Sequence, residues 1–211
     1  MKRLVTLGVV AIISMFVAPA EVSAQFDLGK ALGSLLGASE QSAQTKPSPY
    51  EEMRKTAPAR SQTLGTWQYK SASLVYLGDN PLADAALVQL EGYGLAELRK
   101  YGIIEGCCSL TLRRNGMAVL ATRDNLQDGT LIYDETTSGM KLSTEVDGKK
   151  YSADGYLRIV SDRLLVMVDA RDVLKILIQS YPELATDQTY ITAQGVLQSF
   201  GDVYLSIIFV R

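Results

Sequence analysis

The chain has 211 residues, 47% of them hydrophobic, with 21 Lys+Arg against 23 Asp+Glu and a formal net charge of −2. That length suits one domain, or one domain with an appended segment, and the apolar content is enough for a core. The balance of charge argues against a nucleic-acid partner, which needs a basic footprint to displace counterions from phosphate. Zero histidine excludes Ser-His-Asp and Cys-His nucleophiles and histidine-based zinc sites.

Residues 1–24 read as an export signal. Lys2 and Arg3 form a positive start, Leu4–Ala18 an apolar run, and "EVSAQF" a small-residue cleavage site with Val22 and Ala24 at the positions a signal peptidase reads. The apolar run is short against the about 20 residues of a membrane span. Cleavage after Ala24 is the expectation, which places the mature chain in the periplasm or outside the cell. Removing Lys2, Arg3 and Glu21 takes away a net charge of +1, from −2 to −3.

Residues 25–62 read as a leader and linker with a possible short helix. Phe26, Leu32, Leu35 and Leu36 fit one helical side, but Gly29, Gly33 and Gly37 weaken it. The remainder is rich in Ser, Gln, Lys and Pro, a linker composition. The expectation is a mobile leader; the alternative is that residues 25–37 dock on a membrane surface or an envelope protein.

The folded domain is expected over residues 63–211. "GTWQYKSASLVYL" reads as a strand, with Trp67 and Tyr69 on one face and Thr66 and Gln68 on the other. A helix comes next. Asn80 and Pro81 suit its start, and Ala83, Leu87, Leu90, Gly94, Leu98 and Tyr101 form its apolar stripe.

From Gly106 the period becomes two. "CCSLTLRRNGMAVLATRD" reads as a hairpin turning at Asn115-Gly116. Cys108, Leu110 and Leu112 share a face, and a two-residue turn continues that inward set through Met117, Val119 and Ala121. "GTLIYDE", "MKLSTEV", "KKYSADGYLRIV" and "RLLVMVDA" read as four more strands separated by turn residues. Neighbouring residues in a strand point to opposite faces, so ordinary disulfide geometry is excluded for Cys107 and Cys108. One buried thiol and one on the other face is the expectation; a strained vicinal disulfide is the alternative.

"DARDVLKILIQSYP" reads as an amphipathic helix through Val173, Leu174, Leu177, Ile178 and Tyr181, with Asp169 and Asp172 favoured at its start by the helix dipole. Tyr190, Ala193, Leu197 and Phe200 form a second possible stripe, ended by Gly201. Val203, Leu205, Ile207 and Phe209 lie on one face of a closing strand.

Gly65-Thr66-Trp67 at the head of the first strand resembles the Gly-X-Trp motif of the lipocalin and fatty-acid-binding superfamily. "GTWQYKSASLVYLGDNPLADA" and "LRKYGI" are similar to an uncharacterised lipocalin-like family of exported Bacteroidota proteins. The resemblance implies a mainly β fold over residues 63–211. That fold is a lipocalin-like antiparallel up-and-down barrel with a helix after the first strand and one or two helices before the last. It implies that Trp67 plugs one end, with Gly65 letting the backbone pass close beside the ring. Lipocalins often pack an arginine across the tryptophan; Arg211 is the available residue, though a terminal position suits that role poorly. The Arg-X-Tyr pair of intracellular fatty-acid-binding proteins is missing from "SIIFVR", which weighs against capture of a fatty-acid head group.

These readings lead to a non-enzymatic binding module that holds a small apolar or amphipathic ligand in the barrel. The expected lining is Tyr69, Tyr93 and Tyr156 with Leu110, Leu112 and Val119, and with Leu157, Val166, Leu205 and Ile207 further along the chain. The alternative is a structural or adaptor protein of the cell envelope with a filled core. No metal or cofactor is expected.

Overall fold

Alternation of apolar and polar residues over short segments yields eight antiparallel strands. In the computed structural model the described residues are 49–78, 80, 83, 87, 91, 104–123, 126–146, 148–186 and 188–211. The expected signal, the residues 25–37 leader and most of the helical stripe after the first strand, including Tyr93, lie outside them. The strands are β1 (Gly65–Tyr76), β2 (Cys108–Leu112), β3 (Met117–Thr122), β4 (Leu126–Tyr133), β5 (Gly139–Val146), β6 (Lys149–Val160), β7 (Arg163–Asp169) and β8 (Val203–Val210). Each pairs with its neighbour in sequence, and β8 returns to β1, so the sheet is a closed barrel. Closure removes the unpaired edges that an open sheet exposes.

Antiparallel order places the starts of β1, β3, β5 and β7 at one rim, here the lower, and their ends at the upper rim. Helices α3 (Ala170–Ser180) and α4 (Gln188–Phe200), joined by a 3₁₀ turn at Pro182–Thr186, connect β7 to β8 across the upper rim. Asp169 caps α3 by accepting from the Arg171 N–H. Val173, Leu174, Ile176 and Leu177 of α3 and Tyr190 and Leu197 of α4 join the barrel core, together with helical Leu87. The core is therefore continuous from Trp67 at the lower rim to the helices above.

Two local irregularities set which side chains face inward. In β1 the register against β8 shifts between Tyr69 and Ser71. Trp67 and Tyr69 face inward before the bulge; Ala72, Leu74 and Tyr76 face inward after it. Without the extra residue, Ser71, Ser73 and Val75 would occupy the interior. The β2–β3 hairpin is the second case. The Arg113 N–H bonds to the Met117 carbonyl and the Gly116 N–H to the Arg113 carbonyl. That makes a three-residue loop with Gly116 at φ +81°, not a two-residue Asn115-Gly116 turn. Leu112 consequently pairs with Ala118 and Leu110 with Leu120. The expected inward set of Met117, Val119 and Ala121 is corrected to Ala118, Leu120 and Thr122, one residue on.

The segment expected to be a linker up to Gln62 is packed from Pro49 onward. Helix α1 (Pro49–Lys55) lies on the outside of the barrel. Its Met53 is buried with Leu77, Met167 and Tyr204, and with the partly buried Val75, Tyr156 and Leu165. All but Leu77 project outward from β1, β6, β7 and β8 by the strand register. The continuous apolar run of β7 is thus explained: Leu164, Val166 and Val168 face the core, and Leu165 and Met167 face α1.

A short helix, α2 (Arg60–Thr63), crosses beneath the lower rim. The Trp67 ring is 2% exposed, and its Nε1–H donates to the Thr63 carbonyl at 2.8 Å. The Arg211 guanidinium carbon sits 4.5 Å from the Trp67 ring centroid, and Nη2 donates to the Gln62 carbonyl at 3.0 Å. The terminal arginine therefore does cover the indole. Gly65 acts differently from the expectation: a Cβ there would touch nothing within 4 Å, but its φ is +116°, so the backbone turn into β1 requires glycine.

Trp67→Ala is expected to lower unfolding free energy in urea by about 3–5 kcal/mol, since it removes a fully packed ring. Arg211→Ala removes one exposed stacking contact and is expected to cost about 1 kcal/mol. Equal losses for the two variants would contradict the division of roles.

Candidate functional site

Strand register assigns each expected lining residue to a face except Tyr93, which lies outside the described residues. Tyr69 of β1, Leu110 and Leu112 of β2, Leu157 of β6, Val166 of β7, and Leu205 and Ile207 of β8 all point into the barrel and are buried in its one core cluster. Val119 does not: it pairs with Thr111 and Asp128 on the outer face, because the Gly116 loop adds one residue to the hairpin. Tyr156 also points outward. It pairs with Gly139 and Met167, and since its neighbour Leu157 faces in, alternation sends the tyrosine out.

The interior is occupied by large side chains. Trp67, Leu157, Leu164, Leu177, Leu205 and Phe209 are fully buried, and the Tyr69 ring meets Phe209 edge to face at 6.2 Å. Aromatic rings in this arrangement add a small attraction beyond their area burial. Leu131 and Leu142, paired across β4 and β5 on the inner face, remain half-buried against this core.

Open space lies on the outer wall. A groove of about 490 Å³ runs over β4, β5 and β6 toward the α1 side of the barrel. Its floor comes from the sequence: Gly139 opposes Tyr156, so one of the two facing positions has no side chain. Ile132, Lys141 and Asp154 lie in a row across β4, β5 and β6. Lys141 Nζ and Asp154 Oδ1 are 3.9 Å apart. Tyr156 and Tyr204 form the far wall, edge to face at 5.5 Å, and Arg54 of α1 closes one side.

Charge around the groove is locally compensated. Burial opposes the Asp169 carboxylate, but the Arg171 guanidinium and N–H, with Lys175 further off, hold it below the usual carboxylate range. The Arg171 guanidinium bonds both Asp169 oxygens, at 3.0 and 2.6 Å. Asp134 is held low by the Thr136 hydroxyl and N–H and the Thr137 hydroxyl. Carboxylates bound in this way are structural anions, and they are poor proton donors near neutral pH. Among the described residues no group of three or more His, Cys, Asp or Glu is placed to hold a metal ion.

Missed by sequence reading were Ile132, Lys141, Asp154 and Tyr204. The available signal was the doubly apolar β7, which needs cover on both faces and therefore implies outside packing beside Tyr156 and Tyr204.

Residues 50–211 match the lipocalin-like domain family (DUF4923), and the chain belongs to that family. No curated protein matches the chain in sequence.

Tyr133 offers a spectroscopic handle on the lower rim. Its hydroxyl donates to the Pro58 carbonyl at 2.7 Å. Burial pushes its phenol up to about 12; the Ser138 hydroxyl opposes this, and Glu135 and Asp134 add to it. A raised folded-state value means that the folded chain holds the proton longer than the unfolded chain. This contribution to stability is fully present below pH 10 and is lost as pH rises from 10 toward 12. In an ultraviolet tyrosinate titration, Tyr133→Phe is expected to remove one late-titrating tyrosine and flatten the fall of stability above pH 10. An unchanged alkaline limb would contradict the assignment.

Proposed function

We propose that this member of the lipocalin-like domain family is an exported, non-enzymatic binding module that engages a protein partner through its outer wall. The observation carrying this reading is that a groove of about 490 Å³, lined by Arg54, Ile132 and Tyr156 among others, lies on the outer wall of the barrel. Export rests on the basic start, apolar run and small-residue site of residues 1–24. A non-enzymatic role is supported by the lack of histidine and by carboxylates committed to structural partners.

A protein partner suits the groove's chemistry. Tyrosine and arginine are the side chains that most often anchor protein interfaces, because they supply large contact area with a polar tip. Half-buried Tyr156 and exposed Arg54 stand together there, over the buried Tyr204 and beside the exposed Ile132. The Lys141–Asp154 pair supplies a polar rim. The envelope partner takes this wall, and the leader of residues 25–37 is proposed to meet a membrane surface.

A second reading is favoured by one feature. Leu131 and Leu142 keep accessible apolar surface on the inner face, so a small apolar ligand seated against them gains about 25 cal/mol per Å² removed from water.

Ile132 is 69% exposed, so Ile132→Asp is expected to leave the melting curve unchanged. Crosslinking in an envelope fraction, followed by mass spectrometry, is expected to place partner peptides on β4–β6, and Ile132→Asp should reduce their yield at least tenfold. Native mass spectrometry of the purified protein is expected to show the apo mass. A co-purifying lipid or pigment would replace the partner reading with the ligand reading.

A further inference from the structure

Cys107 and Cys108 are the only two cysteines of the chain, and their sulfur atoms lie 3.6 Å apart. This is not the arrangement of consecutive residues in a strand, whose side chains point to opposite faces. Cys108 opens β2, but Cys107 lies in the bend before it. The bend is held from both sides. The Gly106 N–H donates to the Tyr69 carbonyl at 2.8 Å, and the Cys107 N–H donates to the Ile104 carbonyl at 3.0 Å. Gly106 at φ +77° turns the chain there. The fold thus brings onto one side two thiols that alternation would separate.

We propose that Cys107 and Cys108 form a redox-active dithiol that a disulfide oxidant converts reversibly into a vicinal disulfide at the upper rim. Cys107 is half-buried and Cys108 is buried, so an incoming disulfide reaches Cys107 first. The Cys107 thiolate attacks one sulfur of the oxidant, forming a mixed disulfide and releasing one thiol. Cys108 then gives up its proton and attacks Cys107 Sγ, releasing the second thiol. Two cysteine thiols lose two electrons and two protons, and one oxidant disulfide becomes two thiols.

Burial raises the Cys108 thiol well above its ordinary value, so the second step is the slower one. Proximity compensates, because Cys108 Sγ already touches its target. Neighbouring Cα atoms are about 3.8 Å apart, below the usual disulfide range of about 4.4–6.8 Å. The ring is therefore strained, and strained disulfides are the readily reduced, regulatory kind rather than the permanent kind. The span closed is the shortest possible, so it stabilises the chain least through the unfolded state.

The test uses the reduced, folded protein incubated with oxidised glutathione, then denatured, treated with N-ethylmaleimide and weighed intact. The expected product is lighter by two hydrogens, carries neither glutathione nor maleimide, and regains two maleimide sites after dithiothreitol. Cys108→Ser is expected to stop at one glutathione on Cys107. Cys107→Ser is expected to react at least tenfold more slowly, because only the buried thiol remains. Wild-type protein that keeps a glutathione, links to a second chain, or still takes two maleimides at equilibrium would overturn the proposal.

Discussion

Barrel closure depends on β1 serving two partners along one strand. Its first residues pair with β2, from Gly65 to Gln68, and its later residues pair with β8, from Gln68 to Tyr76. The bulge between Tyr69 and Ser71 reverses the side-chain parity at the point where one partner gives way to the other. Trp67 and Tyr69 can then pack against Leu110 and Phe209, while Leu74 and Tyr76 reach the helices above. Beyond Gln68 the far edge of β1 has no β2 to bond, and the Glu91 carboxylate accepts from the Leu74 N–H at 3.0 Å. A carboxylate from the helical segment thereby satisfies a strand donor that closure leaves over.

The same geometry explains why the outside of the barrel is not uniform. β7 is apolar on both faces, so one wall must be covered, and α1 supplies Met53 for that purpose. Among the described residues no helix covers the wall next to it, over β4 to β6, and that wall lacks a side chain at Gly139. The groove is the boundary between a covered and an uncovered wall, with Tyr156 and Tyr204 shared between the two. Packing at the covered wall holds the two rings in place for whatever meets the open one.

Much of this architecture was readable from residue order. The Gly-X-Trp head, the odd-even rhythm from Gly106 onward, the first helix before the last strand, a fainter stripe for the second, and the closing strand through Phe209 were visible as patterns. So were the inward positions of Leu110, Leu112, Leu157, Val166, Leu205 and Ile207. Val119 was misplaced because Asn-Gly is the commonest two-residue turn, whereas here Gly116 takes the bulge position of a three-residue loop. Tyr156 was misplaced by its chemistry, an aromatic suited to a lining, although Leu157 beside it already claimed the inner face. The docking of α1 was hidden because Met53 is a single apolar residue in a polar stretch, and its burial depends on a wall assembled from four distant strands.

By itself the sequence determined the family, the class of fold and the face of most strands, because those properties repeat every two residues and survive local error. Tertiary structure decided the two register shifts, the seat of Arg211 on Trp67, the outer groove and the meeting of the two thiols. Each of these turns on one extra residue or on contact between segments far apart in the chain. A periodic pattern carries no information about where a period is broken, and only packing in three dimensions selects the break.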